Sequence, residues 1–364
     1  MPRKNPSVLG CLTVTALLLQ TCHADLVTGA AISTNFPDPT LALAPNGIWY
    51  AFSTQSGHIN IQLASSPDFE QWTFHAEYDA LPVLPGWARL PPDAGVWAPD
   101  VNQRPDGTWV MYFAAVGTTH PRKHCIGAAI SPNVTGPYTP LQTTLVCDLP
   151  GGGNIDPNLF QDPITGKDYL VYKTDGNAIG HGGACSNGVD PIVPTPLHLQ
   201  LLNSTDLVTP IGDRIYLFSN SALDGPNIER PCILYQDSTY FVIYNSQCYT
   251  DLTYHISYVS CNVGLDTTVT KGIAGCDWRA LKQKQQTIAD RTLLKTNDSI
   301  SGSTLYAPGS MDVGPDQHKI VFHGDINLAW FEPNRPVTLH RDRAMYAGEI
   351  DFDGSSLRVT KLFE

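Results

Sequence analysis

The sequence predicts an all-β protein, a five-bladed β-propeller. Its apolar segments are short, rich in Tyr, Val, Ile, Phe and Trp, and separated by turn clusters, which is typical of strands. The chain contains 30 glycines and 29 prolines, and this content favours many turns over long helices. A unit of proline, short strand, turn and aromatic strand occurs five times, and this count predicts the number of blades.

Five prolines each begin a short apolar strand of this repeated unit. They lie 58 to 77 residues apart, at Pro39, Pro99, Pro157, Pro231 and Pro308. The second strands are predicted in PNGIWYAFST, PDGTWVMYFAA, PITGKDYLVYKT, YQDSTYFVIYNS and PDQHKIVFHGD. Each proline is therefore expected to start the innermost strand of a blade. One helix is predicted, near residues 278–286.

Length, charge and the first residues limit the class of protein. The chain has 364 residues and a formal net charge of -12, which argues against a nucleic-acid partner. Residues 1–24 combine a basic start, a short apolar run and a small final residue, so they are predicted to be a secretory signal peptide. Residues 25–364 are then expected to form a single propeller domain. No later stretch is long and apolar enough to span a bilayer, so we expect a secreted, extracellular monomer without a membrane partner.

Secretion favours disulfides as the use of the cysteines. Seven cysteines follow the predicted signal peptide, so at least one stays free or pairs outside the chain. Connectivity does not follow from sequence alone; the favoured pairs are Cys125 with Cys147, Cys232 with Cys248, and Cys261 with Cys276. Three sequons predict surface glycosylation, at Asn133, Asn203 and Asn297.

The residues before the five prolines are expected to cluster at one mouth of the central channel. Three acids from three blades are among them: Asp38, Asp156 and Glu229. Because proline restricts the residue that precedes it, Asp38 is expected to be extended at its strand entrance. Acids that are buried close together oppose each other's ionisation, and glycosidic bond cleavage uses one protonated and one ionised carboxyl. An acid before proline is common in turns, but three in register favour catalysis.

Five motifs in this order resemble those of glycoside hydrolase family 43, over about residues 35 to 325: FPDPT, VWAPDV, NIDPNLF, NIERPCIL and VFHGD. The resemblance implies a five-bladed propeller that hydrolyses arabinose- or xylose-containing plant polysaccharides with inversion. It implies that Asp38 is the general base, that Glu229 is the general acid, and that Asp156 raises the pKa of that acid and orients it. It also implies that His323 lies near a central ion, often calcium, with no cofactor required for the chemistry.

The motif around the proton donor departs from the family pattern. The acid of the family usually precedes a small residue and then proline, whereas Arg230 occupies the middle position here. An arginine beside the acid would lower its pKa, so we expect the Arg230 side chain to point away from Glu229. Asp224, in LDGPN, resembles another form of this motif and stays an alternative acid.

Four further residues are candidates for contact with a sugar. Trp97, Phe36 and Tyr306 lie beside the residues before the prolines and would offer apolar surface, although packing is an equal interpretation for Trp97. His181, in the glycine-rich GHGGACSNG, lies in a long loop that either contacts substrate or is a flexible insertion. The segment HPRKH, residues 120–124, is interpreted as a solvated loop rather than a metal site.

These observations predict a secreted inverting glycosidase that acts on α-L-arabinofuranosyl or β-D-xylosyl linkages in arabinoxylan or arabinan. The chain leaves no room for the second β-sandwich domain that many xylosidases of the family carry, which favours an arabinofuranosidase. An endo-arabinanase stays an alternative, as does a propeller that binds polysaccharide without cleaving it. Inversion predicts about 6.5 to 9.5 Å between the Asp38 and Glu229 carboxyls, whereas about 5 Å would favour a retaining enzyme.

Overall fold

The computed structural model describes residues 29–264, 271–335, 339–354 and 356–363. The predicted signal peptide, residues 1–24, lies outside the described residues. Within the described part of the chain, no helix is long and apolar enough to cross a membrane.

Five four-stranded antiparallel sheets form the blades of a β-propeller, which confirms the predicted fold. In every sheet the strands follow chain order, so neighbours along the chain are neighbours in the blade. Blade 1 contains β1 to β4, at Thr40–Leu43, Trp49–Ser53, Gln62–Ser66 and Thr73–Phe74. Blade 2 contains β5 to β8, at Trp97–Gln103, Trp109–Val116, His124–Ser131 and Thr139–Pro140.

The remaining blades have the same order. Blade 3 contains β9 to β12, at Asn154–Gln161, Asp168–Thr174, Leu197–Leu201 and Ile215–Phe218. Blade 4 contains β13 to β16, at Ile228–Gln236, Thr239–Ser246, His255–Asn262 and Thr292–Leu294. A hairpin of β17 and β18, at Ser299–Ile300 and Ser303–Thr304, precedes blade 5. Blade 5 contains β19 to β22, at Gly309–Val313, Lys319–Asp325, Arg343–Asp353 and Ser356–Phe363.

The innermost strands and their partners lie where the repeat predicts them. Pro99, Pro157 and Pro231 lie inside β5, β9 and β13, while β1 and β19 begin directly after Pro39 and Pro308. The predicted aromatic segments form β2, β6, β10, β14 and β20. In β6 and β14 every residue is buried, because adjacent blades cover both faces of the sheet.

The hydrophobic core lies between the blades. Each pair of adjacent blades shares a cluster of buried side chains, and the last cluster packs blade 5 against blade 1. The segment before blade 1 also pairs with β21: Ile32 exchanges two backbone hydrogen bonds with Met345, and Phe36 N–H donates to Arg343 O at 2.8 Å. The first and last blades therefore close the ring by hydrogen bonds as well as by packing.

The described residues contain one α-helix, α1, at Trp278–Lys284, as the sequence predicts. The Asp277 side chain caps it by accepting a hydrogen bond from the Ala280 N–H at 3.1 Å. Short 3₁₀ turns lie at Gly176–Ile179, Ala184–Ser186, Gly272–Gly275 and Leu328–Phe331.

Two of the three predicted disulfides are present, Cys125–Cys147 and Cys261–Cys276. The third prediction is wrong, because Cys248 pairs with Cys185 and Cys232 is a buried free thiol. Cys232 points into the core between blades 4 and 5, whereas Cys185 belongs to the glycine-rich loop after β10. The Cys185–Cys248 disulfide joins two loops that are 63 residues apart in the chain, and sequence spacing alone did not predict this pair.

Candidate active site

The three predicted acids line one cavity, at the mouth of the channel where the innermost strands begin. The cavity has a volume of about 190 Å³. Asp38 comes from the entrance to blade 1, Asp156 from blade 3 and Glu229 from blade 4. The other lining residues are Thr54, Trp97, Ile155, Arg230, Tyr249, Tyr254, Ser310 and Arg343. All five blades thus contribute at least one residue to the lining of this cavity.

A backbone feature repeats just before each of the five prolines. The preceding residue has a positive φ in every case: Asp38 (54°), Ala98 (47°), Asp156 (60°), Arg230 (52°) and Ala307 (42°). In blades 2 to 4 the pairing of the innermost strand shifts register at this point, as in a β-bulge, and in blade 5 it shifts just after Pro308, between Gly309 and Asp312. The expectation that Asp38 is extended is therefore wrong. The left-handed bulge, which is strained for residues other than glycine, sets the direction of these side chains.

Asp38 is held as a carboxylate by donors from blades 1 and 5. Thr54 Oγ1 donates to Oδ2 at 2.7 Å, and Ser310 Oγ donates to Oδ1 at 2.7 Å. Arg343 Nη1 lies 3.5 Å from Oδ1. Burial alone would raise the pKa of Asp38, but the Arg343 charge and the hydroxyl donors hold it well below its usual value. Asp38 is therefore ionised at neutral and moderately acidic pH.

Asp156 has the opposite electrostatic character. Its Oδ2 accepts a hydrogen bond from the backbone N–H of Arg230 at 2.9 Å. Burial and the negative charge of Glu229 raise the pKa of Asp156 to about 7, against the opposing charges of Lys173 and Arg230. Asp156 therefore keeps its proton up to about this pH.

Glu229 is positioned by two donors. Tyr254 Oη donates to Oε1 at 2.8 Å, and Lys173 Nζ donates to Oε2 at 3.3 Å. Lys173 is itself shared, since it also lies 3.2 Å from Asp175 Oδ1 and donates to Asn177 Oδ1 at 2.8 Å. The negative charge of Asp175 thus offsets part of the positive charge beside Glu229.

The Arg230 side chain makes its hydrogen bonds to proline carbonyls, whereas Glu229 bonds to Lys173 and Tyr254. The two side chains therefore have separate partners, as predicted. They diverge because of the bulge at Arg230 and not because successive strand residues alternate between the two faces.

Sequence reasoning missed Lys173, Tyr254 and Arg343. Lys173 did carry a signal, because a lysine inside the otherwise apolar segment YLVYKT must be buried and therefore needs an acidic partner. Tyr254 and Arg343 carry no such signal. Tyr254 directly precedes β15 and Arg343 begins β21, and only the folding of the blades brings these strand ends to the cavity.

The four candidate sugar contacts have different outcomes. Trp97 lines the cavity and is 37% exposed. Phe36 is fully buried and packs edge-on against Phe74, so the prediction that it contacts substrate is wrong. Tyr306 is half-buried and does not line the cavity. His181 is exposed and lies outside the lining, with Nδ1 2.8 Å from Pro191 O.

The end of the HPRKH segment is not a solvated loop as predicted. His124 is the first residue of β7, is buried, and stacks on the Trp97 ring at a centroid distance of 3.9 Å. The imidazole therefore packs against one face of the Trp97 ring.

Asp224, the alternative acid, lies outside the cavity in a fully buried ion-pair cluster. Its Oδ1 lies 2.9 Å from Lys282 Nζ and 2.8 Å from Arg291 Nη1, and Ser221 Oγ donates to its Oδ2 at 2.6 Å. Burial would raise the pKa of Asp224, but Lys282 and Arg291 hold it below its usual value. A permanently ionised aspartate without access to the cavity cannot donate a proton there, so this alternative is wrong.

The residues around His323 do not fit a directly bound calcium ion. The backbone N–H of Asp38 donates to His323 Nδ1 at 3.1 Å, so the ring proton is on Nε2, a buried nitrogen without a partner among the described residues. A protonated nitrogen cannot ligate a cation, and calcium prefers oxygen. Burial and the positive charges of Arg343, Arg341 and Arg230 hold the pKa of His323 well below its usual value, and those charges also repel a cation. Across the described ranges, no three His, Cys, Asp or Glu side chains are grouped to hold a metal.

A groove continues from the cavity past Glu229. It has a volume of about 540 Å³ and shares Trp97, Ile155, Glu229 and Tyr249 with the cavity. Its far end is lined by the glycine-rich loop, including Gly180, Gly182, Cys185 and Ser186. The Cys185–Cys248 disulfide ties this loop to the segment before Tyr249. The loop is thus anchored beside the cavity, and four of its residues, but not His181, line the groove.

Comparison with known proteins gives curated relatives that are arabinanases by name. The chain is 27% identical over 239 residues to the extracellular endo-alpha-(1->5)-L-arabinanase of Thermotoga petrophila, which is 57% of this chain and 45% of the relative. It is 26% identical over 260 residues to the extracellular endo-alpha-(1->5)-L-arabinanase 2 of Bacillus subtilis, which is 64% of this chain and 45% of that relative. The match thus spans less than half the length of these relatives.

Solved structures support the fold. A thermostable family-43 glycoside hydrolase has a TM-score of 0.65 at 20% identity, covering 91% of this chain and 95% of that chain. The native Bacillus subtilis arabinanase Arb43A has a TM-score of 0.61 at 16% identity, covering 92% of this chain and 99% of that chain. The family model for glycosyl hydrolases family 43 matches residues 30–271, more than half of the sequence. The chain therefore belongs to glycosyl hydrolases family 43.

Proposed function

We propose that the protein is a secreted, monomeric, inverting glycosidase that cleaves α-L-arabinofuranosyl linkages in arabinan. One observation carries the proposal. A single cavity holds a carboxylate with a lowered pKa, Asp38, together with Glu229 and Asp156, and the pKa of Asp156 is raised to about 7. A base that stays ionised beside an acid that stays protonated is the combination that inverting hydrolysis needs.

In this proposal, Asp38 accepts a proton from a water molecule whose oxygen attacks the anomeric carbon. The bond between that carbon and the glycosidic oxygen breaks, and Glu229 gives its proton to the leaving oxygen. Thr54, Ser310 and Arg343 favour the ionised form of Asp38, so the base is ready before substrate binds. Tyr254 holds the Glu229 carboxyl in place for the proton transfer.

Asp156 acts on Glu229 rather than on the substrate. Two negative charges on Asp156 and Glu229 would repel each other, which favours a state with one proton between them, and Glu229 passes this proton to the leaving oxygen. Lys173 opposes this effect, and its contact with Asp175 limits how much it does so. The balance of these charges then sets the pH above which the acid no longer works.

The groove beyond Glu229 supports a polymeric leaving group. Because the proton donor faces the leaving oxygen, the part of the substrate that departs must lie on the Glu229 side, where the groove continues. Arabinan is favoured over xylan because both curated relatives are named as arabinanases. Secretion is supported by the three disulfides and by the extracellular names of these relatives.

The proposal is tested by assaying the purified protein on linear arabinan, arabinoxylan and the aryl α-L-arabinofuranoside and β-D-xyloside. Arabinan is expected to be the best polymer, and NMR of the first product is expected to show the inverted anomer. A better rate on xylosyl substrates would contradict the proposed linkage, and a retained anomer would contradict inversion. Binding to arabinan without turnover on any substrate would identify a non-catalytic binding propeller instead.

An endo-arabinanase is the second candidate, and the open groove together with the names of both relatives favours it. Product size separates the two actions. An endo enzyme releases a range of oligosaccharides from linear arabinan early in the reaction, whereas an arabinofuranosidase releases arabinose alone.

A further inference from the structure

Arg230 places its guanidinium in the channel, surrounded by the innermost strands. The residue is 2% exposed. Its Nη2 donates to Pro39 O at 3.2 Å and to Pro99 O at 3.3 Å, and its Nη1 donates to Pro157 O at 3.4 Å. These carbonyls belong to the prolines that start the innermost strands of blades 1, 2 and 3. One side chain from blade 4 therefore hydrogen-bonds to three other blades.

Backbone carbonyls that converge on one point form the kind of ligand set that a hard cation takes. Buried carbonyls also need a hydrogen-bond donor or a cation to replace the water they lose. In this chain the guanidinium fills that role, and it is charged at every accessible pH. The place that a central ion would take among these strands is therefore occupied by the protein itself.

An acid pair provides the matching negative charge in the channel. Asn158 Nδ2 donates to Asp100 Oδ1 at 3.0 Å and to Asp312 Oδ1 at 2.9 Å. Thr40 Oγ1 lies 3.1 Å from Asp100 Oδ1 and 2.8 Å from Asp312 Oδ2. A threonine hydroxyl has one proton, so both contacts are satisfied only when one of the carboxyls is protonated.

The pair then has one negative charge, which matches the single charge of Arg230. Burial and the charge of Asp312 raise the pKa of Asp100 to about 7, and the Arg230 charge opposes this rise. A divalent cation added to the same space would leave an excess of positive charge.

We propose that the Arg230 guanidinium is a built-in replacement for a central metal ion, so that this chain folds and keeps its channel closed without binding one. The proposal does not depend on the proposed reaction, because metal content and thermal stability are measured without substrate. Loss of the proposed glycosidase activity would leave it standing.

The first test uses the wild-type protein. After passage over a chelating resin and dialysis, the protein is analysed for divalent metals by mass spectrometry, and Tm is measured in EDTA and in excess CaCl₂. Substoichiometric metal and the same Tm in both buffers are expected. About one calcium ion per chain, or a rise in Tm of several degrees in calcium, would overturn the proposal, because a ligand that binds only the folded state raises its stability.

The second test replaces Arg230, so that its guanidinium no longer occupies the channel. Arg230→Ala removes the guanidinium and leaves three carbonyls and the acid pair, so its Tm is expected to fall in EDTA and to recover partly in calcium. Arg230→Lys keeps a positive charge, so its Tm is expected to be the same in EDTA and in calcium. Arg291→Ala removes another buried arginine, paired with Asp224 away from the channel, and is expected to lose stability without a calcium response.

A calcium response in Arg291→Ala, or none in a folded Arg230→Ala, would contradict the idea that Arg230 occupies a cation position. If Arg230→Ala does not fold, the metal content and calcium response of the wild-type protein decide the question alone.

Discussion

Two mouths of one channel each contain a pair of buried acids, and the pairs differ in what surrounds them. At the catalytic mouth, Asp156 is paired with Glu229, and burial raises the pKa of Asp156 to about 7. At the opposite mouth, Asp100 is paired with Asp312 beside a cavity of about 520 Å³, and burial raises the pKa of Asp100 to about 7 as well. Burial therefore raises the pKa of one acid in each pair to a similar value.

Their hydrogen bonds are not alike. Asp100 and Asp312 share Thr40 and Asn158, and the backbone N–H groups of Leu159 and Leu41 donate to them as well. All four carboxyl oxygens of this pair therefore accept hydrogen bonds from protein donors.

The catalytic pair has different partners on each acid and a third acid, Asp38, in the same cavity. A perturbed pKa is thus insufficient to identify a catalytic acid. Asymmetric partners and a third acid in the same cavity distinguish the functional pair.

The largest difference between the mouths is expected in turnover. Glu229→Gln or Asp38→Asn should lower kcat on arabinan by about 10³-fold, because each removes a proton-transfer group. Asp100→Asn is the matched control from the opposite mouth, and its kcat per folded molecule should stay within about tenfold of wild type. Equal losses in all three variants, with the folded fraction checked by circular dichroism, would remove the functional distinction between the pairs.

The pH profile separates the roles within the catalytic pair. The alkaline limb of kcat/KM is expected near pH 7, where Asp156 loses its proton. Asp156→Asn should lower kcat about 10²-fold and move this limb to lower pH, because Glu229 then loses a neighbouring negative charge. A limb that stays in place in Asp156→Asn would show that Asp156 does not control the proton.

Both mouths are expected to have the same effect on stability. A carboxyl whose folded pKa is raised to about 7 binds more protons in the folded state than in the unfolded state, where the value is 3.8. Its contribution to the free energy of unfolding is fully present below pH 3.8 and is lost as pH rises through about 7. Tm should therefore fall between about pH 5 and pH 8, and fall less in Asp100→Asn and in Asp156→Asn. A steeper fall in either variant would contradict the raised pKa values.

A smaller effect is expected at the wall of the catalytic cavity. Trp97→Ala should raise KM for arabinan about tenfold with a lesser change in kcat, because the exposed ring face supported by His124 is lost. Trp97→Phe keeps an aromatic face and should recover most of the affinity. An unchanged KM in Trp97→Ala would show that Trp97 packs within the protein and does not bind the substrate.

The repeat made much of the fold predictable. Each innermost strand begins at a proline and is followed by an aromatic strand, and both patterns reflect local chemistry that is visible in a single sequence. The register of the repeat also predicted that Asp38, Asp156 and Glu229 would meet, since equivalent positions of different blades lie at the same mouth. Phe36 shows the limit of this argument. It lies two residues before Asp38 in the chain, but its side chain is buried in the core.

The sequence by itself determined the all-β class, the number of blades, the helix at Trp278–Lys284 and the acids at the start of three blades. These features follow from turn chemistry and strand pattern within short segments. Only the tertiary structure decided the positive φ before each proline, the Cys185–Cys248 pair, the partners of Glu229 and the position of Arg230. Each of these depends on segments far apart in the chain, whose approach is fixed when the blades close into a ring.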